Sequence, residues 1–307
     1  MQVTLMHNPN AGSGKPSPEK LKERFKESGY ELKYQSTKKD NYESALENPG
    51  EIIIIAGGDG TIGKITKKLI NRDVKIGVIP AGTANNIAKT LNINASPKKI
   101  INKLSTYKTI GFDVGEVKGI AGERKFIESV GIGLFPELMN FYKQNPEKGP
   151  DKKNKEKEVE KALKQLKKRL TAQSAFKCKI CIDGEIFSDN FLLIEIMNIK
   201  TMGPNLPLAA EADPGDGFLD IVMVSERERE SFISYLDGYI EGKTPPLDLA
   251  VRKGRHVQIF WDNHLIHIDD ELWPDPEDEK PDFSGKNAVI DIELIPQALQ
   301  VLVPEKS

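Results

Sequence analysis

Asp59 stands in Gly57-Gly58-Asp59-Gly60-Thr61, a single carboxylate among three glycines directly after the isoleucine run 52–55. Glycine lets backbone N–H groups come close to a ligand and adopts positive φ without steric cost. A loop that leads into a helix N-terminus adds a dipole favourable to anions. Two readings of Asp59 are open from the residues alone. It holds the Mg2+ of a nucleoside triphosphate, an ion that takes oxygen ligands and phosphates, or it caps a helix starting near Ile62. Two further stretches carry glycines after apolar runs: Gly12 and Gly14 in "NPNAGSGKPS", and Gly82 in "PAGTANN". The first is not the common phosphate-binding P-loop, because Pro9 fills its first glycine position and Pro16 replaces its metal-binding Ser or Thr.

The elements around these loops predict where they meet. From residue 1 to about 107, short apolar runs (2–6, 31–35, 52–55, 74–79) alternate with stretches of helical spacing (18–28, 41–48, 62–70, 84–91). Such alternation, with an unbroken isoleucine run, predicts an α/β domain built on a parallel sheet covered on both faces. Ligands of such sheets bind beyond the carboxyl ends of the strands, so the three glycine loops are expected on one rim. From 108 to 297 the rhythm changes to short alternating strands with turn residues between them, which predicts a β-rich sandwich. A helical insertion at 153–172 interrupts it, and the strand at 298–303 is a candidate to rejoin the first domain.

Composition narrows the function. The chain has 307 residues, 38% hydrophobic and 29% charged, with a net charge of −2. That balance gives no general attraction to nucleic acid. No apolar run reaches the length that crosses a bilayer, and the first residues lack a signal-peptide pattern, so a cytoplasmic protein with at most peripheral membrane contact is expected. Cys178 and Cys181 lie three apart on an alternating strand, which turns their sulfurs to opposite faces. They read as packing residues rather than metal ligands.

Taken in order along the chain, Asn8-Pro9…Gly12, Gly57-Gly58-Asp59-Gly60-Thr61 and Pro80-Ala81-Gly82-Thr83-Ala84-Asn85-Asn86 resemble the diacylglycerol kinase catalytic domain family, which includes bacterial lipid kinases and sphingosine kinases. "LPLAAEADPGDGFLDIVMV" (206–224) and "IHIDDELW" (266–273) are similar to its later motifs. The resemblance implies an ATP- and Mg2+-dependent lipid kinase acting on the hydroxyl of diacylglycerol or a related lipid at a membrane surface, as a monomer or a homodimer. It implies ATP binding by Asn8, Pro9, Asn10, Ala11, Gly12, Thr37, Gly57, Gly58, Asp59, Gly60, Thr61 and Thr83. It further implies substrate contacts at Asn85 and Asn86, a base at Asp269 supported by Glu271, and a structural Mg2+ near Asp213, Asp216 and Phe218. Acyl chains are expected against Leu206, Leu208, Phe135 and Leu138.

The match has departures. Gly63-Lys64 stands where the family has Asn-Glu, Asn86 where it has Asp, and Asp270 where it has Gly; Asp tolerates a left-handed backbone better than most residues. Lys64 either faces a phosphate or is solvated. The alternatives are therefore a catalytically impaired nucleotide- or lipid-binding relative, or an NAD kinase, which shares Gly-Gly-Asp-Gly-Thr. The stripe Val159, Leu163, Leu166 and Leu170 either docks on anionic lipid or packs on the protein itself.

Overall fold

A computed structural model describes residues 1–12, 16–119, 122–149, 155–247, 249–261, 264–275 and 288–305. Gly14 lies outside them, as do 153 and 154 of the predicted insertion. The chain divides into two units, residues 1–114 with 296–307, and 115–295. The division falls at Val114/Gly115, within one strand, β5 (Lys108–Gly119).

The first unit carries β1 (Gln2–His7), β2 (Glu31–Ser36), β3 (Ile52–Gly57) and β4 (Lys75–Pro80), with helices α1 (Pro18–Glu27), α2 (Asp59–Thr66), α3 (Asn86–Thr90) and α4 (Pro97–Lys103). Neighbouring strands run parallel in the order β4-β3-β1-β2. Ile52 to Ile55 are all at most 4% exposed, each contributing roughly 1.5–3 kcal/mol of burial. The run does not alternate because both faces of this central strand are covered. Three predicted helices differ from the structure. The stretch 41–48 holds only a 3-10 turn, Tyr42–Leu46; α2 begins at Asp59 rather than 62; and α3 is a five-residue helix, Asn86–Thr90.

The second unit adds β6 (Arg124–Phe126), β7 (Ser129–Gly133), β8 (Phe176–Ile182), β9 (Glu185–Met197), β10 (Leu219–Ser225), β11 (Val251–Gly254), β12 (His256–Trp261), β13 (Ile266–Ile268) and β14 (Glu271–Trp273). A final strand, β15 (Ala288–Val303), pairs antiparallel with β12 through its first half, while Gln300 and Val301 pair parallel with Lys75 and Ile76 of β4. β9 is long enough to pair with β8 through its first half and with β7 and β10 through its second. One core fills the space between strands, from Val117 and Phe126 to Ile292. A second core lies under α5 (Leu134–Gln144), α6 (Lys155–Ala172) and α7 (Arg229–Ile240).

Leu163, Leu166 and Leu170 of α6 are at most 3% exposed within that second core. The stripe packs on the protein itself, with Val159 half-buried against the same core. Leu206, Leu208, Phe135 and Leu138 are likewise core residues, at most 5% exposed, and of these Leu208 also lines a cavity. Cys178 is buried and Cys181 half-buried on opposite faces of β8, both as free thiols. No described helix is long and apolar enough to cross a membrane.

Candidate active site

The register of the parallel sheet brings the predicted loops to one edge. His7 pairs with Ser36 and Ala56, and Gly57 pairs with Pro80. The residues that follow these strand ends therefore leave at one level: Asn8 to Gly12, Thr37, Gly58 to Thr61 and Ala81 to Thr83. Backbone bonds stitch them together, with Asn8 N–H donating to Ala56 O (2.9 Å), Thr37 N–H to His7 O (2.9 Å) and Ala81 N–H to Gly57 O (2.8 Å). Asn8 Nδ2 also donates to Thr61 Oγ1 at 2.8 Å.

Three glycines in these loops are there for each other. A Cβ on Gly82 would lie 2.5 Å from Gly58 Cα, and one on Gly12, whose φ is +52°, would lie 2.4 Å from Ala81 O. Backbone meets backbone at both places, so no side-chain adjustment could relieve the contact. The rim is built by stripping side chains from loop–loop contacts, which at the same time leaves its edge bare for a ligand.

Asp59 caps a helix, but not its own. It is the first residue of α2, and its Oδ1 accepts Ile87 N–H at 3.1 Å, at the start of α3. Burial pushes its carboxyl up, and backbone N–H groups of Ile87, Asn86 and Asn85 offset part of that rise. Among the described residues, no Lys or Arg is among the groups that shift it. A desolvated carboxylate fits the Mg2+ expected with ATP, since the ion would stabilise its charged form.

Asn85 and Asn86, for which substrate contacts are expected, stand where the Gly82 loop enters α3. Asn85, with φ +54°, closes its own loop: its Oδ1 accepts Gly82 N–H (2.8 Å) and its Nδ2 donates to Gly82 O (3.0 Å). Asn86 is 4% exposed. The Asn85 amide thus shapes the loop and is half-buried, while Asn86 is buried at the start of α3. Lys64 is exposed, its ammonium 5.4 Å from the centre of the Tyr42 ring.

In the second unit the acidic turn is held by a network that the motif alone does not reveal. Asp269, not Asp270, takes the left-handed conformation, with φ +52°. Its N–H donates to Ser129 O (2.9 Å), and its carboxylate accepts Ile127 N–H (3.0 Å) and Glu128 N–H (2.8 Å) on Oδ1. Asp269 is 7% exposed. Glu271, by contrast, has a side chain 63% exposed, with Arg124 Nη1 3.4 Å from Oε2. Beneath the turn, the fully buried His267 joins Nδ1 to Asp269 O (3.0 Å) and Nε2 to Glu195 Oε2 (2.8 Å). An acid in the apolar strand "FLLIEIMNI" could have announced this pair, because a buried carboxylate demands a partner.

Burial alone would push the His267 imidazole down, but Glu195 and the Asp269 carbonyl outweigh it, and the net direction is up. A raised imidazole adds stability that is complete below its unfolded value, about 6.5, and is lost as pH rises through the folded value. The melting temperature of the native chain is therefore expected to fall from pH 6 to 9 by several degrees more than that of Glu195→Gln. At this chain length each kcal/mol moves it about 2–4 °C. Equal slopes in thermal melts of the two proteins would refute the pairing.

The expected structural Mg2+ site does not fit. Asp216 Oδ1 accepts Phe218 N–H (2.9 Å) and its Oδ2 is ion-paired with the Lys253 ammonium, while Asp213 Oδ1 accepts Gly215 N–H (3.0 Å). Lys253 is seated on the oxygen that a cation would take. The trio of potential ligand atoms found within 4.8 Å of one another among the described residues lies elsewhere, at His256, Asp291 and Glu293.

With this geometry in view, the likeness to known proteins can be judged. Residues 2–117 match the diacylglycerol kinase catalytic domain model, and residues 154–303 match the YegS C-terminal NAD kinase β sandwich-like domain. Residues 2–117 belong to the diacylglycerol kinase catalytic domain family. Relatives of this family include a diacylglycerol kinase of Mycobacterium tuberculosis, 24% identical over 269 residues covering 85% of this chain and 79% of the relative. A diacylglycerol kinase of Bacillus subtilis is 25% identical over 293 residues, covering 87% and 82%. The crystal structure of a diacylglycerol kinase from Bacillus anthracis shares the fold at a TM-score of 0.72 and 20% identity, covering 99% of this chain and 97% of that one. The family's two-domain plan, an α/β domain followed by a sandwich, is the plan of this chain.

Proposed function

We propose that the protein is an ATP-dependent lipid kinase that moves the γ-phosphoryl group to the hydroxyl of diacylglycerol or a related lipid, reached peripherally at a membrane surface from the cytoplasm. The observation that carries this reading is the rim of the first unit, where three side-chain-poor loops are fastened together at the carboxyl ends of β1, β3 and β4. The kinase names of relatives that match over most of their length support it. Phosphoryl transfer asks a protein for alignment and charge neutralisation more than for covalent chemistry. Asn8 to Gly12, Thr37, Gly57 to Thr61 and Thr83 would line the triphosphate, and a Mg2+ ion on Asp59 would neutralise its charge.

The acceptor alcohol is a weak nucleophile, so a carboxylate must take its proton as the new O–P bond forms and the bond to the β-phosphate oxygen breaks, releasing ADP. The contacts of the acidic turn exchange the roles first assigned to its two acids. Asp269 is committed to backbone N–H groups and nearly sealed, whereas Glu271 offers a carboxylate to solvent. We therefore assign the base to Glu271 and give Asp269 the task of holding the turn that presents it.

The test is radiolabelled [γ-32P]ATP with a panel of glycerolipids and long-chain bases in detergent micelles. The native protein is expected to label at least one lipid. Asp59→Asn keeps an acceptor for Ile87 N–H, so it should melt at or above the native temperature yet transfer at least ~100-fold more slowly. ATP that raises the melting temperature while no lipid is labelled would replace the kinase with a non-catalytic nucleotide-binding relative. Labelled NADP formed from NAD would replace it with an NAD kinase.

A further inference from the structure

Several buried acids among the described residues have clear partners. Glu195 has His267, Asp269 has the N–H groups of Ile127 and Glu128, and Asp113 accepts Gln297 N–H. Asp220, on β10, is 2% exposed, and its Oδ2 has no hydrogen-bond partner among the described residues. A buried polar atom left without a partner in a native fold calls for an explanation, such as an ion, a water or a ligand.

Asp220 lines a cavity of about 460 Å³, within the size range of small-molecule sites. Its other walls include Leu208, Ala209, Tyr235, Tyr239 and Leu247. These surfaces are apolar or already satisfied, since the Tyr235 hydroxyl donates to Pro207 O at 2.9 Å. The acids around the carboxylate outnumber the cations. Lys253, also in the lining, is the leading charge that acts on Asp220, but it is ion-paired with Asp216, and Asp216, Asp213 and Glu211 act in the opposite sense. An occupant must therefore bring an apolar body, one strong hydrogen-bond donor and a positive charge. An alcohol meets two of these demands, and a fatty acid meets only the first at neutral pH.

We propose that this cavity binds an apolar primary amine, its ammonium on the Asp220 carboxylate and its hydrocarbon against Leu208, Tyr239 and Leu247. The site lies wholly within the second unit, uses none of the residues assigned to phosphoryl transfer, and goes beyond the kinase reading. A bound amine would convert the costliest buried acid of the sheet into an ion pair, because a desolvated charge is tolerated only when paired.

Octylamine, octanol and octanoate share a chain and differ in head group, and none requires ATP or a micelle. Calorimetric titration of the full chain at pH 7.5 is expected to show octylamine binding at least tenfold more tightly than octanol, with octanoate silent. Asp220→Asn should erase that preference, and Leu247→Trp, which fills the cavity mouth, should weaken amine and alcohol together. If Asp220→Asn fails to fold, the head-group order in the native chain and the Leu247→Trp result decide the matter. Equal affinity for amine and alcohol would overturn the proposal, as would undiminished octylamine binding in Asp220→Asn. So would Mg2+ alone displacing octylamine, for the carboxylate would then belong to a metal. Turnover plays no part in the measurement, so its outcome and that of the kinase assay stay separate.

Discussion

Glu271→Gln is expected to lower lipid phosphorylation by roughly 10²–10⁴-fold, the usual contribution of a positioned general base, with no change in melting temperature. The side chain is exposed, and its one ionic contact, with Arg124, is long and solvated, so little stability depends on it. Asp269→Asn is the informative companion. Asparagine retains an oxygen for the Ile127 and Glu128 N–H groups and tolerates positive φ, so the turn should persist and most activity with it. Asp269→Ala removes those acceptors at a left-handed position and should cost about 1–3 kcal/mol of stability as well as activity. Steady-state phosphorylation and thermal melts on the three variants decide the assignment. If Asp269→Asn is dead while Glu271→Gln is active, the base is Asp269 after all.

Gly82→Ala should abolish nucleotide binding, although it adds a single methyl group. Its Cβ would stand 2.5 Å from Gly58 Cα and 2.9 Å from Asn85 Oδ1, so two loops would have to separate. Overpacking of this kind costs about 1–3 kcal/mol, and here the movement falls on the rim itself. Gly29 provides the control. Its φ is +76°, but nothing lies within 4 Å of an added Cβ, so Gly29→Ala carries backbone strain without crowding. The ATP-induced rise in melting temperature should vanish in Gly82→Ala and survive in Gly29→Ala. A rise of native size in Gly82→Ala would mean that the loops do not form the nucleotide site together.

The parts of this molecule legible in the sequence are those governed by period. The isoleucine run at 52–55 announces a central strand of a parallel sheet, and the spacing Leu163, Leu166, Leu170 announces a helix with one buried side. The glycine loops announce a bare rim, but not that Gly58 and Gly82 are needed for mutual contact, since such packing joins loops distant in sequence. For the same reason the capping reading of Asp59 places it on its own helix when it serves α3, and the bonds by which Asn85 closes its loop are not legible. Short-range pattern also misplaces the ends of elements, as at 41–48, where apolar spacing supports only a turn. The second unit hid most behind two letters: Glu195 and Asp220, single acids in otherwise apolar strands. Each marks an electrostatic demand, but only the fold says whether a histidine answers it, as for Glu195, or an oxygen is left without a hydrogen bond among the described residues, as for Asp220.

β15 gives to β4 residues made more than two hundred positions after it. On a ribosome, β4 therefore waits with one flank bare until nearly all of the second unit has emerged, and a bare strand flank is where chains stick to one another. Synthesis of residues 1–114 by themselves would make that waiting state permanent. The α/β unit is in this sense the last to be finished, though most of it is translated before the second unit.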